Sequence, residues 1–257
     1  MSTLRSAWLY VTVVTVAACA GSGGTVNDRA SDTDAAVANM NLGAGYLRQG
    51  NVELAIERLR RALTQDPELV LAHSTIAFAY DQIGSYDEAE THFRRATELD
   101  KEDGAAANAY AAFLCNRGNR WAEAEPYFRR AAEDLDYPTP EVAMTNAGIC
   151  ARDAGDLEKA EASFRAALSR NGRYPDALSN MVELSYQSGE YLQTRAFVQR
   201  YLAVRPATAS LLLTCVNVER ELNNAAGAEL CATQLRNGFP GSPELAQLEQ
   251  EQRGDGR

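Results

Sequence analysis

Few residues of this 257-residue chain are of types that carry out chemistry, and their spacing argues against catalysis. The two histidines, His73 and His92, lie near no cysteines at zinc-ligand spacing and form no HExxH-type pair. The five cysteines include no CxxC pair of the kind that redox sites use. No activated nucleophile or phosphate-binding loop is evident. We therefore expect no enzyme, no metal, no cofactor and no small-molecule substrate.

Cys19 is the exception, because the residues before it predict a covalent modification. Arg5 is the only charged residue before an apolar run from Ala7 to Ala18. That run is about half the length that spans a bilayer as a helix, and the pattern is typical of a secretory signal peptide. Val16-Ala17-Ala18-Cys19 resembles the bacterial lipobox, which implies cleavage before Cys19 and lipidation of its thiol. The alternative is an ordinary signal peptide that is cut near Ala18.

The amino-terminal segments follow from this interpretation. Residues 1–18 are expected to be the lipoprotein signal peptide, and residues 19–35 the lipidated cysteine and a flexible tether. Between Ala20 and Asp34 the chain has almost nothing to bury. By resemblance to bacterial sorting signals, Ala20 in place of an aspartate implies the periplasmic face of the outer membrane. Several acyl chains would hold the protein there stably.

Composition indicates a folded, acidic protein. The chain is 46% hydrophobic and 23% charged, which is ordinary for a protein with a packed core. Its formal net charge is -10, so its averaged field repels polyanions. We expect no nucleic-acid partner.

Residues that end helices recur at a nearly constant interval. Their positions step by 34, 34, 37, 34 and 34 residues. Glycine, or asparagine in its place, is favoured where the chain turns left-handed after a helix. The members are Gly50, Gly84, Gly118, Gly155, Gly189 and Asn223. Such a period indicates repeats of helix, tight turn and helix.

Small residues recur where the two helices of a repeat would cross, for example Gly43 and Gly148 on first helices and Ala55 and Ala160 on second helices. This pattern resembles the tetratricopeptide repeat. The predicted fold is all-α, a right-handed superhelical solenoid of six tetratricopeptide repeats with a short carboxy-terminal capping helix. The repeats are expected over 36–69, 70–103, 104–140, 141–174, 175–208 and 209–242, within 36–242. Residues 243–257 are expected to form the capping helix and a disordered tail.

The repeat positions suggest how four further cysteines could pair. Cys115 and Cys150 fall on the first helices of repeats three and four, which would be stacked neighbours, and Cys215 and Cys231 fall on the two antiparallel helices of repeat six. An oxidising periplasm favours two disulfides, Cys115 with Cys150 and Cys215 with Cys231. The alternative is four small buried thiols that fill helix contacts.

First helices line the inner face of such a solenoid, so residues that bind a partner are expected on these helices. Asparagines at equivalent or adjacent positions could bond to the backbone of an extended peptide, or they could be ordinary solvated residues. They are Asn41, Asn108, Asn146 and Asn180. Further candidates for a protein-binding groove are Phe78, Ile149, Arg152 and Tyr186, with Met40, Leu47, Leu213 and Arg220 nearby.

Irregular segments carry a narrower resemblance. Several segments resemble the type IV pilus biogenesis and stability proteins called PilW or PilF. They are Ala109 to Gly118, Ala122 to Phe128, Tyr137 to Glu141 and Asn146 to Cys150. Ala209 to Leu213 and Phe239 to Ser242 resemble these proteins as well. This resemblance implies an outer-membrane pilotin, a lipoprotein that supports localisation and multimerisation of the pilus secretin and stable pili. The expected partners are therefore the secretin subunit and, through the lipid, the membrane.

A general periplasmic adaptor that gathers cell-envelope enzymes would use the same fold and anchor. The proteins that co-purify, secretin or peptidoglycan hydrolases, would distinguish the two functions.

Overall fold

The structure is a computed structural model and describes residues 26–118 and 120–255. All thirteen elements assigned there are α-helices, which confirms the predicted fold class. They are α1 (Val26–Arg48), α2 (Val52–Gln65), α3 (Val70–Gln82), α4 (Tyr86–Leu99), α5 (Gly104–Asn116), α6 (Trp121–Glu133), α7 (Pro140–Asp153), α8 (Leu157–Arg170), α9 (Pro175–Gln187), α10 (Tyr191–Leu202), α11 (Ala209–Glu221), α12 (Ala225–Gly238) and α13 (Pro243–Asp255).

Consecutive helices pack as antiparallel pairs, from α1 with α2 to α11 with α12. The small residues allow this close crossing: a Cβ added to Gly43 would lie 2.6 Å from Leu59 Cγ. Ala77 and Ala111, at the equivalent positions of the next two first helices, are fully buried. The hydrophobic core is therefore continuous along the array and lies between the first and second helices.

Left-handed turns occur where the glycine period predicts them, with one exception. Gly50, Gly84, Gly155 and Gly189 have φ between 73° and 85°, and Asn223 has φ 55°. Gly118 lies outside this left-handed region. The turn of repeat three carries an extra residue, so α6 begins only at Trp121 with Arg120 as its N-cap. The added length changes the path of the chain after α5.

Both ends of the chain are more helical than expected. The predicted tether reaches residue 35, but α1 begins at Val26. No glycine or proline interrupts residues 26–42, so nothing in this stretch of the sequence prevents a helix. At the other end Ser242 Oγ accepts from Leu245 N at 3.2 Å, and α13 continues to Asp255, into the expected tail. Residues 1–25, including Cys19 and its preceding motif, lie outside the described part.

Leu245 and Leu248 of α13 are buried against the last repeat, so this helix covers the end of the core. No helix among the described residues is long and apolar enough to cross a membrane.

Candidate protein-binding surface

First helices form the inner wall of the array. Contacts join α1 to α3, α3 to α5, α5 to α7 and α7 to α9, while each second helix packs on the next first helix. The side chains of first helices that point away from the second helices therefore face the interior of the superhelix. Most of the predicted groove residues lie on this wall.

The clearest depression lies between α3 and α5 and is named here the inner pocket. Its walls are Phe78, Phe93, Phe113, Ala109 and Ala112, and its rim is Ser74, Thr75, Asp81 and Asn116. Phe78 is half exposed, at 50%, although a phenylalanine gains from burial. The cavity measures about 420 Å³, which accommodates large side chains of a bound segment.

The inner pocket is almost free of charge. The only charged residue of α3 is Asp81, and α5 has none. Arg117 neutralises that carboxylate through bonds of 2.6 and 3.1 Å, and the same guanidinium lies 4.8 Å from the ring centre of Tyr86. In a protein of net charge -10, this surface suits an uncharged apolar segment.

The predicted asparagines do not form one uniform stripe. Asn146 Nδ2 donates to Asn108 Oδ1 at 3.0 Å, and Asn108 Nδ2 donates to the Tyr137 hydroxyl at 3.2 Å. The segment between α6 and α7, which contains Tyr137, thus holds these two amides in place. Asn180 Oδ1 accepts from Arg152 at 2.8 Å, whereas Asn41 is exposed on α1.

The remaining groove candidates separate into half-buried and buried groups. Ile149 lines a shallow pocket with Asn116 and Asn146, and Tyr186 lines another between α9 and α11. Met40 and Leu213 are only 5% and 8% exposed, so they belong to the core and not to the groove. Helical spacing alone did not resolve which side of the first helix faces its partner.

Arg152 connects repeats four and five on the inner wall. Its Nη1 lies 3.0 Å from Glu183 Oε2, in addition to its bond to Asn180. Farther along the array, Arg220 lies 3.2 Å from Glu251 of the capping helix. The carboxy-terminal half of the inner face is therefore polar and internally paired, unlike the inner pocket.

Both predicted cysteine pairs lie within disulfide reach. Cys115 and Cys150 have Cα atoms 5.7 Å apart, and those of Cys215 and Cys231 are 6.0 Å apart. The first pair joins α5 to α7 beside the pocket of Ile149. The second pair lies beside the bidentate pair of Arg195 with buried Glu219.

A histidine pair that sequence spacing did not suggest lies between α3 and α4. His73 Nε2 is 3.0 Å from the Pro67 carbonyl, so that nitrogen carries the proton, and His73 Nδ1 accepts from His92 Nδ1 at 2.9 Å. Burial lowers the pKa of both imidazoles, that of His92 to about 4. Within the described residues no group of three or more potential ligands could hold a metal ion.

Glu90 fixes repeat two to repeat three. Its carboxylate accepts from Arg120 at 2.8 Å, from Arg94 at 2.6 Å and from the Tyr110 hydroxyl at 3.2 Å. The bonds from Arg120, more than any other contact, lower the pKa of Glu90. The wall of the inner pocket is thereby held at a defined angle to the next repeat.

The paired helices, the continuous inner wall and its apolar pocket define the class: a repeat scaffold that binds proteins. Family profiles described as tetratricopeptide repeat match residues 46–113 and 145–210.

Relatives that match most of the chain identify the family within this class. The type IV pilus assembly protein PilF of Pseudomonas aeruginosa is 27% identical over 252 residues, which is 97% of this chain and 99% of PilF. The crystal structure of PilW, a widely conserved type IV pilus biogenesis factor, matches with 30% identity and a TM-score of 0.72 over 83% of this chain and 97% of PilW. A structure of Pseudomonas aeruginosa PilF matches with 27% identity and a TM-score of 0.74, over 86% of this chain and 99% of that one. The chain belongs to the PilW and PilF family of tetratricopeptide-repeat proteins of type IV pilus biogenesis.

Proposed function

We propose that this chain is an outer-membrane lipoprotein of the pilotin class, which supports localisation and multimerisation of the pilus secretin. The similarity to two pilus biogenesis proteins carries the proposal, because it extends over 97% of this chain for PilF and over 83% for PilW. The lipobox-like residues that end at Cys19 support the anchor. The role is that of a scaffold and not of an enzyme.

The lipid and the repeats have separate tasks in this proposal. The acyl chains on Cys19 hold the protein at the periplasmic face of the outer membrane. The inner pocket binds an uncharged, apolar segment of a secretin subunit, since Phe78, Ala109 and Ala112 offer apolar surface and Asp81 is neutralised by Arg117. Keeping such a segment covered prevents premature association of subunits away from the membrane.

The two cysteine pairs are oxidised in the proposed compartment. Cys115 with Cys150 ties the third repeat to the fourth, and Cys215 with Cys231 ties the two helices of the last repeat. A periplasmic protein experiences oxidising conditions that maintain such bonds.

A deletion strain complemented with variants tests the proposal. Deletion should abolish heat- and detergent-resistant secretin multimers and surface pili, and Cys19→Ala should release the protein from the outer-membrane fraction and restore few multimers. Phe78→Ser should reduce secretin binding about tenfold or more. Leu71→Ser is the matched control, because Leu71 is on the same helix, is 56% exposed and lies outside the inner pocket.

Normal secretin multimers in the deletion strain would refute the pilotin role. Co-purification of peptidoglycan hydrolases in place of secretin would instead identify a general envelope adaptor. Equal secretin binding by the Phe78→Ser and Leu71→Ser proteins would exclude the inner pocket as the binding site.

A further inference from the structure

A second depression lies on the outside of the array and is named here the outer groove. Parallel helices α6 and α8 form its walls, and α7, which packs against both, forms its floor. Its lining is mostly apolar, and the cavity measures about 270 Å³. This is below the roughly 300–1,000 Å³ of small-molecule sites, so side chains of a protein partner fit it better. The lining includes Trp121, Phe128, Ala132, Met144, Ala147, Ala162 and Ala166.

The outer groove exists because alanines replace larger residues at two positions of the repeat. Two residues after the large core residue of each second helix, repeats one, two, three and five carry arginine, whereas repeat four carries Ala166. The arginines are Arg61, Arg95, Arg130 and Arg200. On α6 a second small residue, Ala132, occupies the position held by Leu63, Thr97 and Leu168 in other repeats. These truncations leave the depression above Phe128, which lines its base and is itself only 2% exposed.

The rim of the outer groove is positively charged at one end. Arg129 lines it on α6, and Arg170 follows Ala166 by one turn of α8 and therefore extends the same wall. Both arginines are exposed, and neither forms an ion pair within the described part of the chain. At the other end, Lys159 is neutralised by Glu125 at 3.2 Å and lies 5.6 Å from the Trp121 ring. Two arginines of one rim that form no ion pair with the described residues are notable in a protein of net charge -10.

We propose that the outer groove binds an amphipathic helix of a partner protein that presents one or two large apolar side chains and acidic residues at one end. A groove between two parallel helices accepts a third helix on its apolar face. The carboxylates of that helix pair with Arg129 and Arg170, which fixes its direction. This site is separate from the inner pocket, so the protein can hold two partners or two parts of one partner.

Photocrosslinking in the native cell tests this site directly. A benzoylphenylalanine at Ser163, which lines the outer groove, is compared with one at exposed Ala196 on the next second helix, in the full-length protein. We expect a crosslinked partner at position 163 at a yield at least fivefold above that at 196. Mass spectrometry should map the crosslink to a helical segment with large apolar residues next to Asp or Glu.

A synthetic peptide of the mapped segment is then titrated against purified variants. Ala166→Arg, which restores the side chain of the other repeats, and Arg129→Glu with Arg170→Glu should each weaken binding at least tenfold. Ala196→Arg and Arg205→Glu are the matched controls and should leave affinity unchanged, with circular dichroism confirming that all variants are folded.

The proposal is overturned if position 163 captures no more partner than position 196. It is also overturned if the mapped segment is basic or non-helical, or if Ala166→Arg binds the peptide like the parent. The Phe78→Ser variant leaves the outer groove intact. Loss of secretin binding by that variant and loss of crosslinking at position 163 are therefore independent results.

Discussion

Removing the Cys115–Cys150 pair should lower the free energy of unfolding by about 4 kcal/mol, because the crosslink would close a loop of 35 residues in the unfolded chain. The Cys215–Cys231 pair closes a shorter loop, with a sequence separation of 16, and should contribute about 3 kcal/mol. Cys150 is 2% exposed, so alanine is the suitable replacement, since serine would add the cost of a buried hydroxyl.

The assay is urea unfolding of protein purified from the periplasm, followed by circular dichroism and tryptophan fluorescence. Parent and Cys115→Ala, Cys150→Ala double variant are compared with and without reductant. Reductant should destabilise the parent through both pairs, and the double variant only through the remaining pair. Maleimide labelling of the denatured, unreduced parent should find no free thiol among these four cysteines.

Identical unfolding of the oxidised parent and the double variant would refute the reasoning, and so would four labelled thiols. A third result is informative as well. If the double variant loses stability only in the transition of repeats three and four, the array unfolds locally, as nearest-neighbour coupling in solenoids allows.

Two further predictions concern packing and pH. Between pH 7 and pH 5 the free energy of unfolding should fall by about 1–2 kcal/mol more for the parent than for a His73→Leu, His92→Phe variant. The lowered pKa values favour the neutral pair in the folded state, whereas histidines in the unfolded chain have a pKa of about 6.5 and become protonated in this range. Thermal melts across this range measure the difference, and equal slopes for the two proteins would contradict it. Gly148→Ala should cost about 1–3 kcal/mol, because its Cβ would meet the Phe164 ring, whereas Gly238→Ala, with open space around it, should be neutral or slightly stabilising in the same melts.

The fold could be predicted from the sequence because the residues that specify its turns recur at a nearly constant interval. The left-handed turns at Gly50 and Asn223 need particular residues, so their spacing reveals the repeat. The turn after Gly118 could not be predicted in this way. An extra residue in that turn lets the chain change direction without a left-handed conformation at position 118. The start of α1 at Val26 was also missed, because low hydrophobicity indicates little burial but does not prevent a helix.

The binding surface was less predictable because it depends on which side of a helix remains uncovered. Asn108 and Asn146 occupy adjacent positions in the alignment of the first helices, and they bond to each other across 38 residues of sequence. Phe78 was found as a groove residue by its position, but the neutralising contact from Arg117 to Asp81 depends on how repeat three is oriented. The outer groove had a readable signal in Ala166, since four of the other five repeats carry arginine at the equivalent position.

Helix α7 connects the two proposed surfaces. Ile149 lies on the inner wall, Met144 and Ala147 form the floor of the outer groove, and Cys150 lies within disulfide reach of Cys115 on α5. Because α7 is 14 residues long and packs against neighbours on both sides, we expect a ligand that shifts it at one face to displace the floor of the other. Reducing the Cys115–Cys150 pair should therefore change affinity at the outer groove even though neither cysteine lines it, whereas reducing Cys215–Cys231, which lies in the last repeat, should not.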